Sequence, residues 1–392
     1  MGAALGGFLV GALLVLGFQG VGEGSSNRRL EPAALEPIEV VEPIADEGGS
    51  LLLAWTRDGL RAGIERVLTR MEDVEQVTTV DAGLAWIRRT VAADGTVVDD
   101  PPGRSALPVE IAFVDASSYA PFVPPSERRS ILDLRAGEAL LSQTSAALRE
   151  ADVGMRIGLQ DGDTLTVRGV LSDTAAAGYE IVTPKTRTAT HNEVDRFALM
   201  RLGVDADRRA IEDGVRAAMP PGTAVRLRAE GETPFLRYGD AVLPLGSIKA
   251  TFGEFAARDL GTGFIDIQQA WVKDNIRTAR VPLLDTVTCH RTLFPQLRAV
   301  LQQVRAEGLE FLINPEQFGG CYSPRYVDRI AGGRLSHHAW GIGIDVNVAE
   351  NAFGTAPDQD TRLVKIFENH GFTWGGRWLV PDGMHFEWVR FT

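Results

Sequence analysis

The residues that decide the fold lie near the C-terminal end, in two segments. Residues 335–347 read LSHHAWGIGIDVN, and residues 382–387 read DGMHFE. Together they offer an imidazole, a carboxylate and a second imidazole from separated positions. These are three ligands of the kind that a catalytic zinc ion uses while its fourth position stays open for water. A further carboxylate, Asp382, lies three residues before the last histidine. The pattern is typical of a hydrolase.

The spacing of these residues favours one shared site. Residues 343–348 alternate apolar and polar side chains, which predicts a β-strand with Asp345 on the face away from the core. His338 lies seven positions earlier, on the loop that enters this strand, so a turn can bring both side chains to one ion. In the last strand His385 and Glu387 share a face. His385 can therefore complete the ligand set, and Glu387 can hold an imidazole N–H from outside it.

The other histidines have more ordinary explanations. His337 has the wrong spacing for the same set, although adjacent histidines leave the choice open. His370 before Gly371 is typical of a helix C-cap. His191 lies in a polar stretch typical of a solvated surface, and His290 suits capping or surface exposure. A single buried His–Asp pair is often only a core hydrogen bond, so it is the joint occurrence of the ligands that favours a metal site.

Composition excludes some partners. The chain has 392 residues, 44% hydrophobic and 23% charged, which is ordinary for two globular domains with a tail. Its net charge of −12 argues against non-specific binding to nucleic acid or to an anionic membrane surface. The two cysteines, Cys289 and Cys321, are too few for a zinc knuckle. In an exported protein they can form one disulfide, and two buried free thiols are the alternative.

The first fifty residues suggest export or anchoring. Residues 3–18 are almost all apolar or glycine, long enough for a signal-peptide core and slightly short for a membrane span. No basic residue precedes them, and Arg28 and Arg29 follow, which the positive-inside rule associates with the opposite orientation. We expect residues 1–20 to be an uncleaved anchor rather than a cleaved signal. Residues 21–50 form an acidic, proline-containing linker, either an extended spacer or a tail without function.

Residues 51–245 predict a mixed α+β domain. Helical spacing or strand-like alternation marks each element, with glycine and proline turns between them. The predicted helices are 60–71, 131–151 and 207–219, and the predicted strands are 77–87, 109–114, 164–170, 180–182, 224–227, 235–238 and 241–245.

The C-terminal residues 246–392 predict a second α+β domain. Helices are expected at 293–304 and around 363–367, and strands at 309–313, 343–348 and 385–389. Arg325 lies in a loop rich in glycine and proline. Its guanidinium keeps its charge and offers a planar fork of donors, which suits a carboxylate or a developing oxyanion. An ordinary surface arginine is the alternative.

Several separated motifs in this region occur in the order of a known family. They are GCYxPR at 320–325, SxHxxGxGxD at 336–345, WGGxW at 374–378 and DxMHFE at 382–387. Over roughly the last 130 residues the chain resembles the VanY-type D-alanyl-D-alanine carboxypeptidases and their relatives, the L-alanyl-D-glutamate endopeptidases. One departure is Gly343, where the family more often has alanine, and we expect this change to leave the metal ligands undisturbed.

The resemblance implies a set of roles. It implies Zn²⁺ held by His338, Asp345 and His385, with Asp382 as general base and Arg325 contacting substrate and stabilising the oxyanion. It also implies a compact α+β fold with an antiparallel sheet and flanking helices. The substrate would be the stem peptides of peptidoglycan, which agrees with an extracytoplasmic protein, either membrane-anchored or secreted. The cut bond, D-Ala–D-Ala or L-Ala–D-Glu, stays open, because the shape of the pocket sets it.

The N-terminal domain carries a weaker resemblance. A VEQV segment at 74–77, a GDTLTV turn at 162–167 and EIVTP at 180–184 follow one another as in the extracytoplasmic domain of MacB/FtsX-type ABC permeases. That likeness implies that residues 51–185 bind a cell-envelope partner or position the enzyme, with a plain spacer as the alternative. Two further functions stay open, a zinc-containing binding module without activity and an enzyme that is dormant until its N-terminal domain meets a partner.

Overall fold

The computed structural model describes residues 50–185, 195–232 and 237–391. All of them belong to one unit of the chain, Pro32–Thr392. The predicted anchor, His191 and all but the last residue of the predicted linker lie outside the described residues. Within the described ranges, no helix is both long enough and apolar enough to cross a membrane.

In the described part of the N-terminal region, ten strands form one sheet. In chain order they are β1 Leu51–Thr56, β2 Val74–Val91, β3 Val97–Asp99, β4 Leu107–Val114, β5 Glu138–Ser142, β6 Arg156–Leu159, β7 Thr164–Leu171, β8 Ile181–Pro184, β9 Phe197–Leu202 and β10 Val225–Ala229. The spatial order is β10-β1-β9-β2-β4-β8-β5-β7-β6, with β3 on β2. Because the long strand β2 also pairs with β6, part of the sheet closes on itself.

Among the described residues, five α-helices accompany this sheet: α1 Ile64–Leu68, α2 Ala116–Tyr119, α3 Arg128–Leu132, α4 Gln143–Arg149 and α5 Arg208–Ala218. The predicted helix at 207–219 and the strands at 77–87, 109–114 and 164–170 are confirmed, and α1 is a shorter version of the helix predicted at 60–71. The single helix predicted at 131–151 is wrong, because β5 separates α3 from α4. Gly137 takes a φ of 78°, which ends helical geometry, and the apolar residues that follow are buried as a strand.

Helix α6, Leu245–Phe252, joins the N-terminal sheet to the C-terminal core. On one side Phe252 packs against the rings of Trp388 and Phe391. Elsewhere on the helix the buried Lys249 Nζ lies 2.5 Å from Glu180 Oε2 and 2.6 Å from Glu254 Oε1. The strand predicted at 241–245 is wrong because this helix begins at its last residue, and the one predicted at 235–238 lies partly outside the described residues.

The C-terminal region contains α+β structure with antiparallel pairing. Its elements are β11 Ala257–Asp259, β12 Ile265–Ile267, α7 Gln269–Asn275, β13 Ile276–Val281, β14 Asp285–His290, α8 Phe294–Ala306, β15 Gly343–Asp345, α9 Thr361–Asn369, β16 Phe372–Trp374 and β17 His385–Trp388. Strands pair as β11-β12, β13-β14 and β15-β17-β16, all antiparallel. The strand predicted at 309–313 is wrong: Glu310–Leu312 forms a short 3-10 helix, with Phe311 exposed.

The core of this region packs around large rings that are almost fully buried, Trp340, Phe367 and Phe386. The predicted helix at 293–304 is confirmed as α8, and α9 ends at His370 as its C-cap, as predicted. Cys289 and Cys321 form a disulfide with an S–S distance of 2.19 Å. This bond ties the end of β14 to the loop that precedes β15.

Candidate active site

Two hydrogen bonds orient His338, one at its backbone N–H and one at its ring. Ser336 caps a short 3-10 helix, His337–Ala339, by accepting from the backbone N–H of His338 at 3.3 Å. The ring Nδ1 of His338 lies 2.7 Å from the carbonyl oxygen of Cys321. Since a carbonyl only accepts, Nδ1 carries the proton and Nε2 is left as the acceptor in the neutral ring. The free nitrogen therefore faces the other two members of the predicted set.

The sheet brings Asp345 and His385 together. Asp345 ends β15, His385 begins β17, and the two are direct partners in the antiparallel register. Asp345 Oδ1 lies 2.8 Å from His385 Nδ1 and 3.1 Å from His338 Nε2. The two nitrogens are 3.1 Å apart. Ligand atoms around a tetrahedral zinc ion are about 3.3 Å from one another, so this buried triangle has the donors and nearly the spacing that zinc requires.

Glu387 supports this triangle from behind. Its Oε1 lies 3.3 Å from His385 Nε2 and 3.0 Å from His337 Nδ1. Burial alone would lower the pKa of His385, but hydrogen bonds to Asp345 and Glu387 outweigh it and raise that pKa to about 10. Burial acts to raise the pKa of Asp345, yet His338 and His385 hold it well below its ordinary range. His337 thus lies outside the triangle and contacts Glu387, the residue that supports it.

Asp382 and Arg325 line the same pocket as His338 and Asp345. One oxygen of Asp382, Oδ1, is buried without a hydrogen-bond partner among the described residues. Burial raises the pKa of Asp382 above its ordinary value. The guanidinium of Arg325 lies 3.9 Å from Asp345 Oδ2 and is partly exposed to the pocket. A buried carboxylate oxygen without a partner, next to three potential ligands, is the arrangement that a metal ion and its water molecule would satisfy.

Gly343 leaves room for the two imidazoles. A Cβ atom at this position would lie 2.8 Å from Cε1 of His385 and 3.3 Å from Cε1 of His338. Glycine at this position is compatible with the triangle of His338, Asp345 and His385, whereas a Cβ atom here would require the two rings to shift. The glycine is part of how this chain packs its two histidines.

Some features of the site had no signal in the sequence. The contact of His338 with the Cys321 carbonyl and that of His337 with Glu387 join segments that are distant in the chain. Capping and surface exposure are the two roles expected for His290. It caps the 3-10 helix Arg291–Leu293, and it is buried, so surface exposure is not observed. The pocket is completed by residues from other loops: Gly319, Gly320, Tyr322, Ser323, Asp328, Arg329, Val348, Phe353 and Met384.

Comparisons with known proteins bear on both regions. The solved structures that match the N-terminal part of the chain include two at 10% identity each. The periplasmic region of MacB from Actinobacillus actinomycetemcomitans covers 47% of this chain and 92% of its own, with a TM-score of 0.32. The extracellular domain of the noncanonic ABC-type transporter YknZ from Gram-positive bacteria covers 45% and 99%, with a TM-score of 0.30.

No curated protein matches the chain. A family model matches part of the C-terminal region, and the matched residues include His338, Asp345, Asp382 and His385. Residues 330–388 match the family described as D-alanyl-D-alanine carboxypeptidase, and this match supports a peptidase.

Proposed function

We propose that this protein is a zinc-dependent peptidase of the D-alanyl-D-alanine carboxypeptidase type that hydrolyses peptidoglycan stem peptides. One observation carries the proposal. The triangle of His338 Nε2, Asp345 Oδ1 and His385 Nδ1, with sides of 2.8 to 3.1 Å, opens on a pocket that also holds Asp382 and Arg325.

The proposed ligands are His338, Asp345 and His385. Their donor set, two imidazole nitrogens and one carboxylate oxygen, suits zinc and leaves a fourth position for water. When bound, a zinc ion lowers the pKa of water toward neutrality and polarises a carbonyl group. The remaining work falls to side chains of the pocket.

Asp382 is the proposed general base. Its half-buried carboxylate accepts a proton from the attacking water and passes it to the departing amine. The raised pKa of Asp382 favours the first half of this transfer, since a more basic carboxylate accepts the proton more readily. Arg325 donates N–H groups to the oxygen that becomes negatively charged during attack. A site that served only to bind would have no use for a general base, which favours an enzyme over a binding module.

We also propose an extracytoplasmic location. The disulfide between Cys289 and Cys321 supports it, because disulfides persist in oxidising compartments. The substrate supports it too, since peptidoglycan lies outside the cytoplasmic membrane. Membrane attachment through residues 1–20 and partner binding through residues 51–245 are parts of the same proposal.

The test is a digest of purified stem peptides with the full chain, with and without a chelator, read by mass spectrometry. We expect loss of the terminal D-alanine, its suppression by the chelator and its recovery when zinc is restored. An internal cut between L-Ala and D-Glu would make the protein an endopeptidase. No cleavage by folded, zinc-loaded protein would contradict the proposal and favour a binding module or an enzyme that needs a partner.

A further inference from the structure

A loop on the rim of the pocket is attached to the N-terminal region. The loop, residues 326–335, is called the rim loop below, and it is closed at its base by a bridge between Tyr326 and Leu335. Asp328 and Arg329, near its tip, line the pocket. The contacts that hold this loop therefore affect the shape of the pocket that a substrate would enter.

One arginine from the N-terminal region contacts two sides of the rim. Arg57 directly follows strand β1, and its guanidinium nitrogen lies 2.8 Å from Asp328 Oδ2. The guanidinium carbon is also 5.3 Å from the ring centroid of Phe353, which lines the pocket from a different loop. Arg57 thus connects two pocket-lining segments that are separate in the C-terminal region.

A second contact holds the other end of the rim loop. Arg334 lies over the ring of Tyr238, with its guanidinium carbon 5.3 Å from the centroid. The neighbouring Gly239 has a φ of 88°, and a Cβ atom there would lie 2.8 Å from the guanidinium carbon of Arg334. The N-terminal side is therefore shaped to accept this arginine.

The backbone of the rim loop depends on such support. Asp328 and Arg329 have φ values of 57° and 55°, in the left-handed region that non-glycine residues seldom occupy. Such conformations persist where the surrounding structure fixes them. Gly263 contributes, because a Cβ atom there would lie 2.7 Å from the Cβ of Arg329. Loss of an outside contact should therefore loosen the tip of the loop.

The ion pair also changes the charge of the pocket. The charged residues that line the pocket are Arg325, Arg329, Asp328, Asp345 and Asp382. The pairing with Arg57 offsets the charge of Asp328. A carboxypeptidase substrate ends in a carboxylate, which an unpaired Asp328 would repel.

We propose that Arg57 is a positioning residue for the peptide substrate, acting through Asp328 and Phe353 from outside the peptidase region. The inference rests on the proposed function, and it assigns the N-terminal region a direct part in forming the substrate pocket. Arg57 itself touches no reacting atom, so its loss should act on substrate binding and leave the chemical step nearly unchanged.

The experiment compares zinc-loaded full-length variants on a peptide that ends in D-Ala–D-Ala. Arg57→Ala should raise KM about three- to tenfold with kcat within about twofold, since an exposed ion pair and a cation–π contact are each modest. Arg57→Lys should recover part of the loss. Arg61→Ala, at an exposed arginine of the same segment, is the matched control and should leave KM unchanged.

The double variant Arg57→Ala with Asp328→Asn separates charge from packing. Asparagine tolerates the positive φ at position 328, so the backbone is kept while the charge is removed. Recovery of KM in the double variant relative to Arg57→Ala supports the electrostatic role. An unchanged KM in Arg57→Ala, or a KM that the double variant fails to recover, would overturn it.

The role of Arg57 can also be tested without an activity measurement. Hydrogen exchange of residues 326–335 should be faster in Arg57→Ala than in wild type and in Arg61→Ala. If the wild-type protein cleaves no stem peptide, the proposed function fails, and this exchange comparison still decides whether Arg57 holds the rim. Equal exchange in all three proteins would contradict the inference.

Discussion

His338 and Cys321 are joined by a hydrogen bond that links the candidate metal site to the disulfide. The ring Nδ1 of His338 lies 2.7 Å from the carbonyl oxygen of Cys321, and the sulfur of Cys321 is bonded to Cys289. The cross-link thus fixes the backbone that orients the ring. The free Nε2 is turned to Asp345 and His385 as a result.

The disulfide should therefore matter for metal binding as well as for stability. Replacing Cys289 and Cys321 with serine should lower the free energy of unfolding by about 2–5 kcal/mol. Zinc affinity should fall roughly tenfold, because groups that orient a ligand tune its affinity. Urea unfolding and competition with a chelator measure the two effects. Two free thiols in native exported protein, or an unchanged zinc affinity in the double variant, would contradict this coupling.

The ligand assignment predicts different outcomes for neighbouring histidines. His338→Ala and His385→Ala should each abolish zinc retention, measured as metal per mole of purified protein. His370→Ala, at the C-cap of α9, is the control and should retain zinc. His337→Ala should also retain it, since His337 contacts Glu387 and lies outside the triangle. Zinc retained in His338→Ala and lost in His337→Ala would reverse the assignment.

Asp382 should be needed for turnover and not for the metal. Asp382→Asn keeps the shape of the side chain and removes its basicity, so kcat should fall about 10²–10⁴-fold while zinc content is unchanged. Stem-peptide hydrolysis and metal analysis on the same sample check both parts. An active Asp382→Asn enzyme would place the base elsewhere.

Metal binding should release a proton at neutral pH. In the metal-free protein the pKa of His385 is raised to about 10, so its ring is protonated at pH 7. A metal ligand must be neutral, so zinc should displace about one proton and bind more tightly as the pH rises toward 10. Calorimetry in buffers of different ionisation enthalpy counts the protons. Binding at pH 7 without proton release would show that His385 is already neutral.

Gly343 should resist substitution more than a glycine with free space beside it. In Gly343→Ala the new Cβ would contact the ring of His385, so the imidazoles must move. We expect a loss of about 1–3 kcal/mol in unfolding free energy, as for other overpacked sites, together with weaker zinc binding. Gly83→Ala in β2 is the matched control, because a Cβ there meets no atom within 4 Å. Equal behaviour of the two variants would show that the rings adjust freely.

Local patterns predicted part of the regular structure. Helices α5, α8 and α9 and strands β2, β4 and β7 have clear apolar periodicity in the sequence. The wrong predictions lie where one apolar pattern is compatible with more than one kind of secondary structure. Residues 131–151 have helical spacing, yet the buried strand β5 lies within them, because pairing with β7 and β8 satisfies its backbone. No local property of residues 138–142 reveals those partners.

The sequence by itself determined the chemistry that is available: two imidazoles and two carboxylates in spaced motifs, an arginine, and two cysteines. Residue type and spacing suffice for this, because ligand preference belongs to the side chain. Only the tertiary structure decided how these groups meet. The register of β15 against β17 sets Asp345 opposite His385, the disulfide holds the carbonyl that orients His338, and Arg57 reaches the rim from the other region. Each depends on contacts between residues far apart in the chain, which local sequence does not encode.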